Sequence, residues 1–203
     1  RIGSTMRLLG EPSNAIAHHK VCAKVAGDIQ NASLLAEAHL ELAIDYRHLN
    51  ESAIATQHGT EALALVSHIQ DGDLLSQIYM QNGLLQEEAG DQEKASLYYS
   101  RASDVAEIAE QPVARVDTLA SAMRFYFRVG QKSAAIEKGL EAIDTIELLH
   151  SYLEAERLGP AWASKTHGIY VDLATEYLNW YETSGDSTEL VKAFDIVERS
   201  RAI

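Results

Sequence analysis

Cysteine occurs once in 203 residues, at Cys22, which excludes an internal disulfide and any zinc site built from several thiolates. A reducing, cytoplasmic setting fits such a chain. Proline is nearly as scarce: three Pro and twelve Gly leave Ala, Leu, Glu and Ser dominant, a mixture that favours helix over strand. No apolar run reaches the roughly 18 residues of a membrane span, and no basic, apolar, small-residue leader opens the sequence. Positive charge is in the minority, with seventeen basic side chains against thirty acidic ones, a formal charge of −13, and no Lys/Arg stripe. Phosphate backbones need a clustered positive surface, so nucleic acid is excluded as a direct partner.

Catalytic signatures are missing as well. The chain has no Gly-rich phosphate loop, no GxSxG and no HExxH, so no catalytic or cofactor-binding residue is assigned and any enzymatic chemistry is expected outside it. Acidic neighbours such as Glu87 and Glu88, or Glu37 and Glu41, lie along helix faces and do not read as a carboxylate pair facing across a cleft. Of the eight histidines, His18 and His19 point about 100° apart on a helix. His39 and His48 stand nine residues apart and His58 and His68 ten, so neither makes the i, i+4 pair that a helical zinc site prefers. They read as surface or interface histidines, with no metal site.

What is present is a repeat. Gly90, Ala95, Tyr99 and Ala102 recur forty residues earlier as Asn50, Ala55, Gly59 and Ala62, forty later as Gly130, Ala135, Gly139 and Ala142, and eighty earlier as Gly10, Ala15, His19 and Cys22. Gly or Asn in the first column can take the positive φ that ends a helix. The small residues in the second and fourth columns share a helix face and let a neighbouring helix approach closely. Cys22 stands in the fourth column and is expected to be a small buried side chain. Upstream, Tyr46, Gln86 and Tyr126 form one matching column and Ala43, Gly83 and Met123 another, so the unit is a helical hairpin. A fifth copy, with Tyr181, Gly185 and Ala193, follows an insertion of about fifteen residues around "YLEAERLGPAW" and one of three in its turn. Apolar spacing and stop signals predict helices near 1–9, 12–28, 32–49, 52–69, 73–89, 92–110, 113–129, 132–157, 161–183 and 188–202. Gly159 and Pro160 close the eighth and start the ninth. "EYLNWYE", with Tyr177, Trp180 and Tyr181, reads as packing between the last hairpins, or as a partner hot spot.

The stretch "SQIYMQNGLLQEEAGDQEKASLYYSRASDVAEIAEQP" resembles a tetratricopeptide repeat (TPR). Gly83, Gly90, Asp91, Ala95, Tyr99 and Ala102 match its small, turn and aromatic positions. It departs at Gln86, at Tyr79 and in its period of 40, where the family has 34. The longer period is similar to variants in large bacterial signalling proteins. The resemblance implies an all-α, right-handed α-solenoid, one domain over 1–203, divided as 1–30, 31–70, 71–111, 112–158 and 159–203. Both ends look cut, as in a piece of a longer protein. The final helix, with Ala193, Phe194, Glu198, Arg199, Ser200, Arg201 and Ala202, is similar to the segment before the caspase-like domain of bacterial TPR-CHAT peptidases. The catalytic His and Cys of that family would lie beyond Ile203.

In such a solenoid the first helix of each hairpin makes the concave wall. Its expected inner face carries Leu40, Ile44, Arg47 and His48, then Gln77, Met80, Leu84 and Glu87, then Asp117, Ala120, Arg124, Phe127 and Arg128. This pairs an apolar middle with a cationic, aromatic edge, and the family's peptide carboxylate clamp is not matched. The expected function is a scaffold or regulatory module for protein–protein interaction. It binds a protein or peptide along that face and controls an attached or associated effector, a CHAT peptidase or another. The alternative is a sensor or self-association module of a transcription regulator or nucleotide cyclase, binding a small molecule.

Overall fold

The computed structural model describes residues 2–107, 112–152 and 159–201, and among them it is all-α. The chain forms two compact units, Arg1–Gln111 and Pro112–Ile203. The first contains α1 (Ile2–Leu8), α2 (Pro12–Asp28), α3 (Ala32–His48), α4 (Ser52–Leu63), α5 (Gly72–Glu88) and α6 (Gln92–Glu107). The second contains α7 (Pro112–Arg128), α8 (Lys132–Tyr152), α9 (Gly159–Ser184) and α10 (Ser187–Arg201). The expected positions Arg1, 108–110, 153–157 and Ala202 lie outside the described residues. No helix among the described residues is long and apolar enough to cross a membrane.

The turn column behaves as its chemistry requires. Gly10, Asn50, Gly90, Gly130 and Gly185 all take positive φ, between 60° and 80°. Around Gly90 the amide of Asp91 donates to Gln86 O at 2.9 Å and that of Gly90 to Glu87 O at 2.9 Å. The same pair joins Glu51 to Tyr46 and Gln131 to Tyr126, each at 2.9 Å, so the Tyr46, Gln86 and Tyr126 carbonyls are those a Schellman turn satisfies. Gln30, at φ 55, makes the same turn between α2 and α3, with Asn31 N donating to Ala26 O at 3.0 Å, without the residue type that announces it. A Cβ on Gly130 would meet nothing within 4 Å. Gly130→Ala is therefore expected to cost about 1 kcal/mol through backbone conformation alone, and Gln30→Gly to stabilise by several tenths. Urea midpoints of the two variants should move in opposite directions.

Hairpin packing uses complementary volumes. The column Gly3, Ala43, Gly83, Met123 faces the column His19, Gly59, Tyr99, Gly139. Where the second is large the first is glycine: a Cβ on Gly3 would lie 2.4 Å from His19 Nε2, and one on Gly83 3.2 Å from the Tyr99 ring. Where the first is large the second is glycine, and a Cβ on Gly139 would lie 2.8 Å from Met123 Sδ. At Gly59 the space is taken from the next hairpin, by Asn82 and Leu85. Asn82 Nδ2 also donates to Gly59 O at 3.2 Å and ties α5 to α4.

One helix ends sooner than its apolar spacing predicts. α4 stops at Leu63, and a single 3₁₀ turn, Val66–His68, replaces the expected run to 69. Leaving the helix lets Ile69, extended at ψ 129°, turn back into the cluster of Ala36, Leu40, Ala62 and Ile78. Burial of an Ile side chain contributes roughly 1.5–3 kcal/mol, more than one helical turn does.

The core of the second unit runs through Val116, Met123, Ile143, Tyr170, Leu173 and Ile196. Tyr177 lies in it, meeting Trp180 edge-on with centroids 5.3 Å apart. Phe127 packs against Trp180 at 5.9 Å, and Lys132 Nζ sits 3.9 Å from its ring centroid. Tyr177 and Trp180 are thus core packing of the last helices, and Tyr181 is half-buried.

Candidate functional site

The inner-face residues divide between the two units. On α3, Leu40 is 3% exposed and belongs to the core between Ala62 and Ile78, while Ile44 packs beside that core. Arg47 pairs with Glu88 at 3.1 Å and His48 is exposed. On α5, Gln77 is exposed and Met80 and Leu84 are half-buried. Glu87 accepts a hydrogen bond from the Tyr99 hydroxyl at 3.0 Å, which fixes both side chains. On α7, Asp117 pairs with Lys165, and Ala120 is buried in the core.

Arg124, Phe127 and Arg128 do come together. They line a cavity of about 310 Å³ between α7 and α9, completed by Asp172, Thr175 and Glu176. Arg124 Nε donates to Asp172 at 2.7 Å, so one wall carries a fixed ion pair. Phe127 gives the site an apolar face braced by Trp180. Such a site can hold a side chain that presents polar and apolar parts together.

Cys22 is exposed, not buried as its column predicts. Ala62 in the same column is covered by Ala36 and Leu40 of α3. Cys22 instead lines an open apolar cavity of about 410 Å³, together with Val21, Val25 and Leu34.

Two polar clusters were not legible from spacing along single helices. In the first, Asp45 on α3 is wholly buried, accepts from Arg7 Nη1 of α1 at 2.6 Å, and lies 2.6 Å from His19 Nδ1 of α2. Burial works against the Arg7 charge, yet the hydrogen bonds to Asp45 and Glu41 outweigh it and hold the group above its ordinary pKa. Three helices meet at one carboxylate. In the second, His39 of α3 approaches His58 and Glu61 of α4. The Nδ1 atoms are 3.1 Å apart, and Glu61 Oε2 lies 2.9 Å from His39 and 2.8 Å from His58. Burial lowers the His39 pKa against the pull of Glu61, and proximity to His58 lowers it further. Burial pushes Glu61 up, but the Gln57 and His58 hydrogen bonds and the charge of both imidazoles bring it below the usual carboxylate range. The hairpin is the signal that could have found this cluster: where position 43 faces 59, position 39 falls near 61.

In α10, Arg199 forks onto Glu147 of α8 at 2.8 and 2.9 Å and reaches Asp144 at 2.6 Å. Those hydrogen bonds, Glu147 first, hold its pKa above the ordinary arginine value. Ala193 and Ile196 are buried, while Leu190, Val191, Phe194 and Val197 are exposed, Phe194 at 65%.

No family model matches the chain, and no curated protein sequence matches it. Solved structures do share its fold. BtubC (BKLC) from P. vanneervenii aligns with a TM-score of 0.74 at 15% identity, over 98% of this chain and 77% of that one. The nearly identical TPR-like repeats of a kinesin-light-chain-type protein from Podosopora anserina give a TM-score of 0.65 at 13% identity, over 99% and 90%. A Rap protein complexed with Competence and Sporulation Factor gives 0.64 at 11% identity, over 99% of this chain and 63% of that one. The chain therefore has the all-α fold of TPR-like helical-repeat proteins, and identities at this level speak to fold alone.

Proposed function

We propose that the chain is a non-enzymatic protein-interaction module that takes a peptide segment of a partner in the cavity between α7 and α9 and passes the event to an effector docked at α10. The cavity of Arg124, Phe127 and Arg128 is the observation that carries this reading, because it joins guanidinium donors, carboxylate acceptors and an apolar face at one place. The fold adds to it, since a similar solenoid, the Rap protein, holds a bound factor. The exposed face of Leu190, Val191, Phe194 and Val197 is the natural seat for the effector, for which the α10 resemblance suggests a CHAT-type peptidase. Coupling requires the partner to favour one of two arrangements, and the Arg199 fork is the contact that would have to differ between them.

A second reading, a small-molecule sensor, is favoured by the apolar cavity at Cys22, whose volume falls within the usual range for ligand sites. One experiment separates the two. Peptides selected from a displayed library on the immobilised chain are expected to carry a charged group beside an apolar side chain. They should bind about tenfold or more weakly to Arg124→Ala and Phe127→Ala, since fixed charged contacts contribute about 1.5–3 kcal/mol each. Peptides indifferent to both substitutions would sink the groove. A small molecule whose binding is lost in Val25→Asp and kept in Arg124→Ala would put the sensor in its place.

A further inference from the structure

The cluster on the second hairpin of the first unit supports a site that the interaction reading does not use. We propose that His39, His58 and Glu61 form a zinc(II) site that clamps α3 to α4 and leaves one coordination position open. Among the described residues these are the three whose donor atoms all lie within 4.8 Å of one another.

The triangle cannot be satisfied by hydrogen bonds alone. Its edges are 2.8, 2.9 and 3.1 Å, so every edge is at bonding distance. A ring nitrogen carries either one hydrogen or one lone pair, and an ionised carboxylate oxygen carries only lone pairs. With both Nδ1 atoms protonated, two N–H groups face each other along the 3.1 Å edge. With one or neither protonated, at least one edge to Glu61 sets lone pair against lone pair. A cation at a common centre resolves all three edges at once, because each lone pair then points inward.

The dimensions agree. A point equidistant from the three atoms lies about 1.7 Å from each in their plane, so a metal at about 2.0–2.1 Å sits roughly 1.1 Å above it. That is facial coordination by three ligands, with the fourth tetrahedral direction pointing away from the protein donors. The ideal edge for this geometry is about 3.3 Å, a few tenths wider than observed, which rotation about the side-chain torsions supplies. Two imidazoles and one carboxylate are a borderline donor set that suits zinc, whereas calcium and magnesium require six or more oxygens. The ligands are themselves held. Gln57 Nε2 donates to the other Glu61 oxygen at 3.1 Å, and the Tyr46 ring stacks on His58 with centroids 5.6 Å apart. Side-chain exposures of 17, 15 and 38% leave the metal reachable from solvent, so the open position is available to water or to a side chain of a partner.

The test titrates zinc chloride alone into the chelator-stripped 203-residue chain by calorimetry, with cobalt(II) as the visible-band reporter of tetrahedral coordination. One ion per chain is expected, with affinity reduced about tenfold or more in each of His39→Gln, His58→Gln and Glu61→Gln. Helical circular dichroism of the variants distinguishes a lost site from a lost fold. In the wild-type chain, zinc should shift the imidazole nitrogen resonances of His39 and His58 and leave those of His18 and His48 in place. Absence of one-to-one binding, affinity unchanged across the three variants, or shifts confined to other histidines would overturn the site.

Discussion

Asp45→Ala is expected to destabilise the Arg1–Gln111 unit by about 3–5 kcal/mol, the cost of removing one partner from a buried ionic cluster. Asp45 has no exposed surface, and it joins α1, α2 and α3 through polar contacts: Arg7 at 2.6 Å and His19 at 2.6 Å. Without it the Arg7 guanidinium keeps only Glu41, at 2.8 Å, and a histidine 4% exposed has nothing to face. The backbone cannot close over the gap, since His19 already fills the space that Gly3 leaves. Glu41→Ala removes a partner that is partly solvated, and a loss below about 1 kcal/mol is expected there. Denaturant midpoints measure both losses, and hydrogen exchange should place the first in α1 to α3. A midpoint for Asp45→Ala within about 1 kcal/mol of wild type would mean that the cluster is not holding the helices together.

The contrast between the two variants bears on what the sequence makes visible. Turn residues were legible because positive φ selects Gly and Asn, and the selection recurs at Gly10, Asn50, Gly90 and Gly130. Small-residue columns were legible because helix approach limits volume in the same way in every copy, and Ala55, Ala95 and Ala135 are each 0% exposed. Gln30 was not, since a residue that tolerates a left-handed turn at some cost leaves no signature. Nor was the early end of α4, which depends on whether Ile69 finds a pocket among Leu40, Ala62 and Ile78. Leu40 shows the limit for the candidate site: helical spacing places it in one row with Arg47, but only the neighbouring hairpin determines that it is covered. Cys22 is the reverse case, a position that its column predicts buried and that is exposed. His39, His58 and Glu61 belong to neither pattern, because what brings them together is the fold of one hairpin and not a repeat of residue types.

The complementary columns lead to a sharper expectation, because two copies of the hairpin solve one packing problem in opposite ways. Gly83 and Tyr99 place the large side chain on the second helix, whereas Met123 and Gly139 place it on the first. Tyr99→Gly alone removes a fully buried aromatic ring and its hydroxyl bond to Glu87. A loss of about 3–5 kcal/mol is expected from the cavity, with roughly 1 kcal/mol more from a glycine within α6. Gly83→Met alone drives a side chain into a ring that a single Cβ would already approach at 3.2 Å, and overpacking of this kind costs about 1–3 kcal/mol or more. Combined, the two substitutions recreate the Met123 and Gly139 arrangement one repeat earlier, and the methionine occupies the space vacated by the tyrosine. The double variant should therefore be more stable than Tyr99→Gly alone, with a favourable coupling of about 1–3 kcal/mol in the double-mutant cycle. It should still fall short of wild type, because the hydrogen bond from the Tyr99 hydroxyl to Glu87 is lost and no methionine replaces it. Additivity within about 0.5 kcal/mol would show that the two columns do not trade volume, and that each hairpin is packed by local residues peculiar to its own copy.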